Sequence, residues 1–220
     1  MRVKFDQQLE HLHLMLIEMG ALCEEAITYA VKALEEDSDE MRRKTFETDE
    51  VIDNMEREIE TVCLKLLLQQ QPVARDLRLI SSALKMISDM ERIGDQAYDI
   101  AEITRTIKNE RNRSCDEDIR IMAETAIEMV SGSIDSFVKN NIETANDVII
   151  KDDKVDRLFV NIKEELISSV SQDSSCGEYF ADILMIAKYL ERISDHAVNI
   201  AEWVIFSVTG EHVNEDHIER

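Results

Sequence analysis

Four pairs of carboxylates, each spaced four residues apart, are the side chains of this sequence best placed to do chemistry. On a helix this spacing puts two carboxylates on one face about 6 Å apart, and two such helices side by side would gather four. Clustered carboxylate oxygens suit hard cations such as Mg²⁺, Mn²⁺, Ca²⁺ or iron rather than thiolate-seeking metals. The pairs are Asp49 with Asp53, Glu91 with Asp95, Asp152 with Asp156, and Glu191 with Asp195.

Two of these pairs begin a twelve-residue stretch that occurs twice, one hundred residues apart. Residues 91–102 read ERIGDQAYDIAE and residues 191–202 read ERISDHAVNIAE, so eight of twelve positions are identical without a gap. The other two pairs recur at nearly the same offset. A repeat this long is typical of a duplicated domain rather than a solenoid of small units. Each half of the chain is therefore predicted to place two carboxylate pairs on neighbouring helices.

The first copy places its acids on a helix face that begins apolar. At about 100° per residue, Glu91, Asp95 and Glu102 fall within roughly 40° of one another. Upstream the same arc contains Leu77 and Leu84, and a second apolar arc runs beside the acids. This helix is thus predicted to be covered on much of its circumference. An unpaired buried charge costs several kcal/mol, so we expect a positive group to compensate.

A solvated acidic face is the alternative interpretation of the same residues. Acids at this spacing are common on exposed helices, and Arg92 and Arg192 are available for salt bridges. Two features argue against it: the pairs stand at repeat-equivalent places, and Asp152 interrupts the apolar seam of its helix. His196 is interpreted as a surface histidine rather than a ligand, because the first copy has Gln96 there.

Apolar residues that alternate in steps of four and three predict six long packed helices. The composition agrees, with one proline, five glycines and 33% charged residues. We predict an all-α fold of two tandem, similar three-helix bundles, the first spanning residues 1–110 and the second residues 111–220. The predicted helices span about 4–36, 39–70, 73 or 74 to 108, 115–139, 142–171 and 178–208.

Local signals place several of the helix boundaries. Asp37, with Glu40 three residues on, is predicted to cap the second helix, and Ser114 with Glu117 forms a capping box for the fourth. A turn is predicted at residues 140–141, where two asparagines follow each other.

Charge and composition limit the function. The chain has 25 basic and 47 acidic residues, a formal charge of −22. Binding to a phosphate backbone depends on Lys and Arg, so a nucleic-acid partner is not expected, and cations or basic protein surfaces are favoured instead. The sequence predicts neither a secretory signal nor a membrane span, which favours the cytoplasm.

The cysteines favour free thiols in a reducing compartment. Cys23 and Cys63 lie in apolar stripes, Cys115 and Cys176 lie near predicted helix starts, and no CxxC pair occurs. Zinc ribbons and thioredoxin-like redox motifs are therefore excluded.

Other motif matches are weak. Residues 152–156 spell DDxxD, as in isoprenyl diphosphate chemistry, but the first half has no counterpart. Glu10 and His13 form a single Glu-x-x-His, whereas a di-iron carboxylate bundle needs two. The sequence shows no Gly-rich phosphate loop and no nucleophile placed beside a base. We therefore predict no enzymatic activity; a carboxylate-bridged metal-storage or metalloenzyme bundle remains the alternative.

The chain resembles the PhoU family of phosphate-uptake regulators over nearly its whole length. The resemblance rests on residues 49–53, 71–78 and 91–95 in the first half, and on residues 152–156 and 191–202 in the second. It implies a six-helix protein of two similar three-helix bundles, with metal clusters at E/D-x-x-x-D motifs in some members. The ligands implied by motif position are the four pairs named above. Possible additional ligands are Asp99, Glu102, Asn199 and Glu202.

The resemblance also implies a function. It indicates a cytoplasmic, often homodimeric, negative regulator that couples a phosphate ABC transporter ATPase to a phosphate-sensing histidine kinase. The implied cofactor is a divalent or iron metal ion, with Mg, Mn, Fe and Zn all left open. Two departures predict that the sites differ in occupancy or metal preference: Gln96 stands where the second half has His196, and Asp99 stands where it has Asn199. The second half also lacks a counterpart of Gln71-Pro72.

Overall fold

The computed structural model describes residues 2–70, 72–107, 116–172 and 177–213, and over these ranges the chain is helical without a strand. This agrees with the predicted all-α class, and most predicted boundaries lie within two residues of the observed ones. Within the described residues no helix is long and apolar enough to cross a membrane. The helices are α1 (Arg2–Glu36), α2 (Asp39–Gln70), α3 (Ala74–Ile103), α4 (Asp116–Lys139), α5 (Ile142–Gln172) and α6 (Gly177–Thr209).

The apolar seams pack as their spacing predicts. On α1 the seam residues between Leu12 and Ala33 are fully buried, and on α2 the same holds for Ile52, Ile59 and Leu66. Full burial of one such aliphatic side chain stabilises the fold by about 1.5–3 kcal/mol. The seams of all six helices join in one continuous apolar core.

Two three-helix bundles follow each other along the chain and share part of that core. Helices α1, α2 and α3 contact one another, as do α4, α5 and α6. The bundles meet where α3 packs against α6 and α1 packs against α4, while among the six described helices α2 and α5 contact only those of their own bundle. The two copies of the repeated stretch therefore lie side by side at the centre of the molecule.

Helices α3 and α6 run antiparallel. Near the start of α3, the Arg78 side chain lies against Gly210 just beyond the end of α6. At the other end, the Thr106 hydroxyl donates to Asp182 Oδ2 over 3.3 Å. The middle of α3 thus faces the middle of α6, which brings the second half of one repeated stretch close to the first half of the other.

The turn between α1 and α2 differs from the prediction. Asp37 has a φ of 50° and ends α1 in the left-handed region; its carboxylate pairs with Arg42. The cap of α2 is Ser38, whose hydroxyl accepts the Met41 N–H at 3.4 Å. Asp37 is therefore not the cap, and Glu40 instead pairs with Lys44 at 2.9 Å.

The predicted asparagine turn is present between α4 and α5. Asn140 has a φ of 51°, a conformation that Asn tolerates better than most residues. The Asn141 side-chain oxygen accepts the N–H groups of Glu143 at 2.9 Å and Thr144 at 3.3 Å, which caps α5.

Helix α3 ends at Ile103, five residues earlier than predicted. The Thr104 hydroxyl bonds back to the Ala101 carbonyl at 2.7 Å, and it accepts a bond from buried Arg42 Nε at 2.9 Å. Arg42 also donates to the Thr104 carbonyl at 3.3 Å. Threonine hydroxyls that bond locally compete with helix continuation, and a guanidinium satisfies the carbonyl that the next helical turn would need.

Some predictions lie outside the described residues. They are the Ser114 cap, the positions of Cys115 and Cys176, and the conformation of Gln71. Cys23 and Cys63, in contrast, are buried as free thiols within the apolar core, as their place in the seams predicts.

Candidate metal centres

The first candidate centre forms where α2 packs closely on α3. A Cβ added to Gly94 would lie 2.8 Å from Asp49 Oδ1 and 3.2 Å from Ile52 Cδ1. The absence of a side chain at position 94 therefore lets the Asp49 carboxylate rest on the backbone of α3. Asp49 is partly buried there.

Four carboxylates share the electrostatics of this centre. Burial first, and then the nearby negative charges of Asp53, Asp95 and Glu91, together raise the pKa of Asp49 to about 7. Burial also raises the pKa of Glu91, as does its neighbour Asp95. All four predicted ligands of the first half, on both helices, thus lie close enough to repel one another. We call these residues, Asp49, Asp53, Glu91 and Asp95, the first centre.

The second bundle repeats this arrangement between α5 and α6. Burial first, and then the charges of Asp156, Asp195 and Glu191, together raise the pKa of Asp152 to about 7. The pKa of Asp195 is raised as well, because neighbouring atoms exclude part of its water and Glu191 lies close. Asp152, which interrupts the seam of α5, is thus the counterpart of Asp49. We call these residues, Asp152, Asp156, Glu191 and Asp195, the second centre.

Each centre contains one buried carboxylate oxygen without a hydrogen-bond partner. These are Oδ1 of Asp49 and Oδ1 of Asp152, at equivalent places of the repeat. A buried acceptor without a partner costs about 1–3 kcal/mol, and such oxygens are suitable ligands for a hard cation. The residues present therefore fit a divalent or iron ion by donor type. Within the described residues, no three His, Cys, Asp or Glu side chains are already grouped tightly enough to hold an ion.

Basic side chains flank the two centres differently. At the first centre Arg92 bridges its helix neighbours, with Nη1 2.8 Å from Asp95 Oδ2 and Nε 3.4 Å from Glu91 Oε2. Arg57 adds a 3.6 Å contact to Asp53. This is the compensating charge expected from the sequence.

At the second centre the cation comes from another position. Lys188 pairs with Glu191, whereas Arg192, over the part of the chain that the structure describes, forms no ion pair with Glu191 or Asp195. Of the two salt bridges that belong to the solvated-face alternative, the one of Arg92 is therefore present, and the one of Arg192 is absent from the described residues.

The four possible additional ligands are divided between different places. Asp99 lies near the first centre, where its charge contributes to the raised pKa of Asp49. Glu102 instead pairs with Arg105 at 2.9 Å. Asn199 points towards α3, and Glu202 lines a neighbouring cavity with Trp203. Only Asp99 therefore joins a carboxylate centre.

Sequence reasoning missed the contacts that connect the two repeats across α3 and α6. Asp89 Oδ1 lies 2.9 Å from His196 Nδ1 and accepts a 3.0 Å bond from the Asn199 amide. At the reciprocal place, Tyr189 is hydrogen-bonded to Asp99; burial first, and then the charge of Asp99, raise the pKa of the tyrosine. His196 is thus half-buried in an interhelical contact, not a surface residue. The only sequence signal is the difference between repeats at these positions.

A comparison with protein-family models assigns both halves of the chain to one domain type. The PhoU domain matches residues 16–104 and residues 119–204. These two segments correspond to the two three-helix bundles and include all eight residues of the two centres.

Relatives and solved structures match over nearly the whole chain. The phosphate-specific transport system accessory protein PhoU homolog of Clostridium acetobutylicum is 36% identical over 96% of each chain. The homolog of Aquifex aeolicus is 36% identical over 99% of this chain and 98% of its own. The crystal structure of PhoU from Pseudomonas aeruginosa is 33% identical, with a TM-score of 0.89 over 94% of this chain and 100% of that chain.

Proposed function

Because the chain belongs to the PhoU family, we propose that it is a non-enzymatic negative regulator of phosphate uptake and of the phosphate-starvation response. Its relatives are named as accessory proteins of the phosphate-specific transport system. In this proposal the protein is a cytoplasmic adaptor that forms a homodimer. Its partners are the ATPase of a phosphate ABC transporter and a phosphate-sensing histidine kinase.

The observation that supports this proposal best is the match of both repeats to the same family, together with a structural match over 94% of the chain. Two bundles that present similar but unequal surfaces suit a protein that must contact two partners. The formal charge of −22 favours basic partner surfaces for much of the chain, and we expect such contacts to weaken as salt rises.

We further propose that the two centres bind metal ions. Asp49, Asp53, Glu91 and Asp95 would hold an ion in the first bundle, and their counterparts would hold another in the second. The ion would neutralise carboxylates that otherwise repel one another, and it would supply a partner for the orphaned oxygens of Asp49 and Asp152. The metal is Mg, Mn, Fe or Zn, which elemental analysis of untagged protein purified without chelators would decide.

Deleting the gene tests the regulatory proposal. Without the negative regulator, alkaline phosphatase and the phosphate transporter should stay expressed in phosphate-rich medium. Restoring the wild-type gene should repress both again.

Unchanged expression in the deletion strain would contradict the proposal, provided that no second gene of the family is present. A strain deleted for all such genes excludes that complication. A double variant of one centre, introduced into the same strain, then tells whether the centre is required for repression.

A further inference from the structure

The corner between α2 and α3 has exposed apolar residues that the proposed function leaves unexplained. We define the first corner as residues 61–68 and 72–81, where α2 ends and α3 begins. Leu68 is 83% exposed, and Leu64, Val73 and Leu77 are each about half or more exposed. Transferring such side chains out of water is favourable, so a cluster of four exposed aliphatic residues indicates an interaction surface.

The first corner is basic in a strongly acidic protein. It contains Lys65, Arg75 and Arg78 against a single carboxylate, Asp76. Across the described ranges none of the three cations forms an ion pair, although most of the chain's other basic side chains in these ranges do. Arg78 is half-buried, and its Nε has no hydrogen-bond partner there. Lys65 and Arg75 are exposed, so their charges are available to an acidic partner.

The equivalent corner of the second repeat has the same apolar character and the opposite charge. We define the second corner as residues 164–171 and 177–181. Ile167, the counterpart of Leu64, is 61% exposed, and Val170 is also exposed. Its charged residues are Glu164, Glu165 and Glu178, with no cation. The duplicated scaffold thus offers two apolar corners of opposite sign.

We propose that the first corner is the docking surface for an acidic amphipathic helix of a protein partner. A partner helix with leucine-type residues on one face and Glu or Asp along its flanks would match the exposed aliphatic side chains and the unpaired cations. Recognition of an amphipathic helix uses apolar anchors at positions i, i+3, i+4 and i+7 of that helix. Charge complementarity between the two surfaces adds specificity.

The shape and surroundings of the corner favour a helix over a lipid surface. Leu64 and Leu68 stand one turn apart on α2, and Val73 and Leu77 lie four residues apart where α3 begins. Short rows of exposed aliphatic side chains suit a rod-like partner. A flat anionic bilayer laid on them would also be repelled by the rest of a chain of charge −22.

The test uses a fluorescent synthetic peptide of twenty residues, with leucines on one helical face and glutamates on its flanks. Binding is measured by fluorescence anisotropy on the full chain. Non-specific electrostatics oppose an acidic peptide on this acidic protein, so binding at low micromolar concentration requires a specific site. Leu64→Gln with Leu68→Gln, and separately Lys65→Glu with Arg75→Glu, should each weaken binding by about tenfold or more.

Matched controls make the result decisive. Ile167→Gln with Val170→Gln at the second corner should leave peptide affinity unchanged, and a peptide with scrambled leucines should not bind. All substitutions are at exposed or solvent-facing positions, and unchanged circular dichroism checks that each variant folds.

Three outcomes would overturn the proposal: no peptide binding, equal weakening by the second-corner control, or binding of anionic vesicles through the first corner in place of the peptide. The proposal gives a partner chemistry to the adaptor role proposed above. Because the binding assay needs no phosphate response, its failure can be told apart from failure of the regulatory proposal.

Discussion

The two carboxylate centres present the same acids in different surroundings. Asp49 and Asp152 occupy equivalent places, have the same orphaned oxygen and have the same raised pKa of about 7. Their supports differ, since Gly94 lies beneath Asp49 whereas the second bundle has Ser194 at that position. The buried acid is thus common to both repeats, while its neighbours are not.

The counter-charges differ in the same way. Arg92 balances the first centre, but in the second centre the cation is Lys188, which stands one turn earlier on the helix. A repeat-equivalent residue, Arg192, is present and is not used for this purpose in the described structure. The comparison indicates that a duplicated site can retain its ligands while the compensating charge is supplied from a different position.

Metal removal should have the largest effect on both centres. An ion that binds only the folded chain at a hundredfold excess over its Kd stabilises it by about 2.7 kcal/mol. Chelation should therefore lower the melting temperature of the wild type, and Mn²⁺ or Mg²⁺ should restore it. Glu91→Gln with Asp95→Asn should remove the contribution of the first centre, and Glu191→Gln with Asp195→Asn that of the second.

Each double variant is its own control for the other centre. Without metal, both variants should melt higher than chelated wild type, because the substitutions relieve repulsion among carboxylates. The contrary result is a wild-type melting temperature that changes with neither chelator nor metal, together with variants that melt no higher than the chelated wild type. The acids would then form only a solvated face.

Gly94→Ala should disable the first centre alone. The new Cβ would lie 2.8 Å from Asp49 Oδ1, so the carboxylate has to move away from α3. Alanine also improves helix propensity by about 1 kcal/mol, which offsets the crowding, so overall stability should change little. We expect metal to raise the melting temperature of this variant only by the amount that the second centre contributes.

Ser194→Ala is the matched substitution in the second repeat. A Cβ is already present at position 194, so this variant should retain the full metal response. Loss of the response in both variants would show that the close approach at Gly94 is not what distinguishes the centres.

The pH dependence of the metal-free protein should be the same for both centres. Asp49 and Asp152 have a pKa of about 7 in the folded chain against an ordinary value of 3.8. The folded state therefore holds these protons more tightly. The contribution of these two groups to stability is fully present below about pH 4 and is lost as the pH rises through about 7.

Asp49→Asn and Asp152→Asn should each remove part of this dependence of stability on pH. Because both carboxylates are partly exposed, solvent screening limits the expected gain to about 1 kcal/mol per variant at pH 8. Near pH 4 neither variant should differ from the wild type. Chemical denaturation at the two pH values measures this, and unequal effects of the two variants would contradict the equivalence of the centres.

The smallest expected effect concerns the counter-charges. Arg92→Gln removes ion pairs to Glu91 and Asp95 that are partly exposed, so without metal it should cost about 0.5–1 kcal/mol. Arg192→Gln removes no ion pair to the second centre and should be close to neutral. Urea unfolding in the presence of chelator measures the free energy of unfolding of both variants. An equal loss in the two variants would contradict the proposed difference in counter-charges.

The sequence was sufficient for features that depend on local pattern. The phase of the apolar seams predicted the helices, and the paired asparagines predicted the turn at Asn140. The repeat predicted which acids meet, because only a shared fold brings Asp49 towards Glu91 and places Asp152 in the same way. These features depend on neighbours within one bundle.

Features that depend on contacts between distant segments could not be predicted in this way. The early end of α3 depends on Arg42, which reaches Thr104 from another helix. The contact of Asp89 with His196 depends on the antiparallel packing of α3 on α6. The role of Gly94 depends on the register between α2 and α3, which the sequence does not specify.

The antiparallel packing of α3 on α6, with reciprocal contacts from Asp89 and Tyr189, has a consequence for assembly. Equivalent helices of the two repeats pack on each other, α3 on α6 and α1 on α4. The molecule therefore has the geometry of a dimer within one chain. Residues 104–115 join the halves. Because one chain contains both bundles, their pairing is intramolecular and does not depend on how much protein the cell makes.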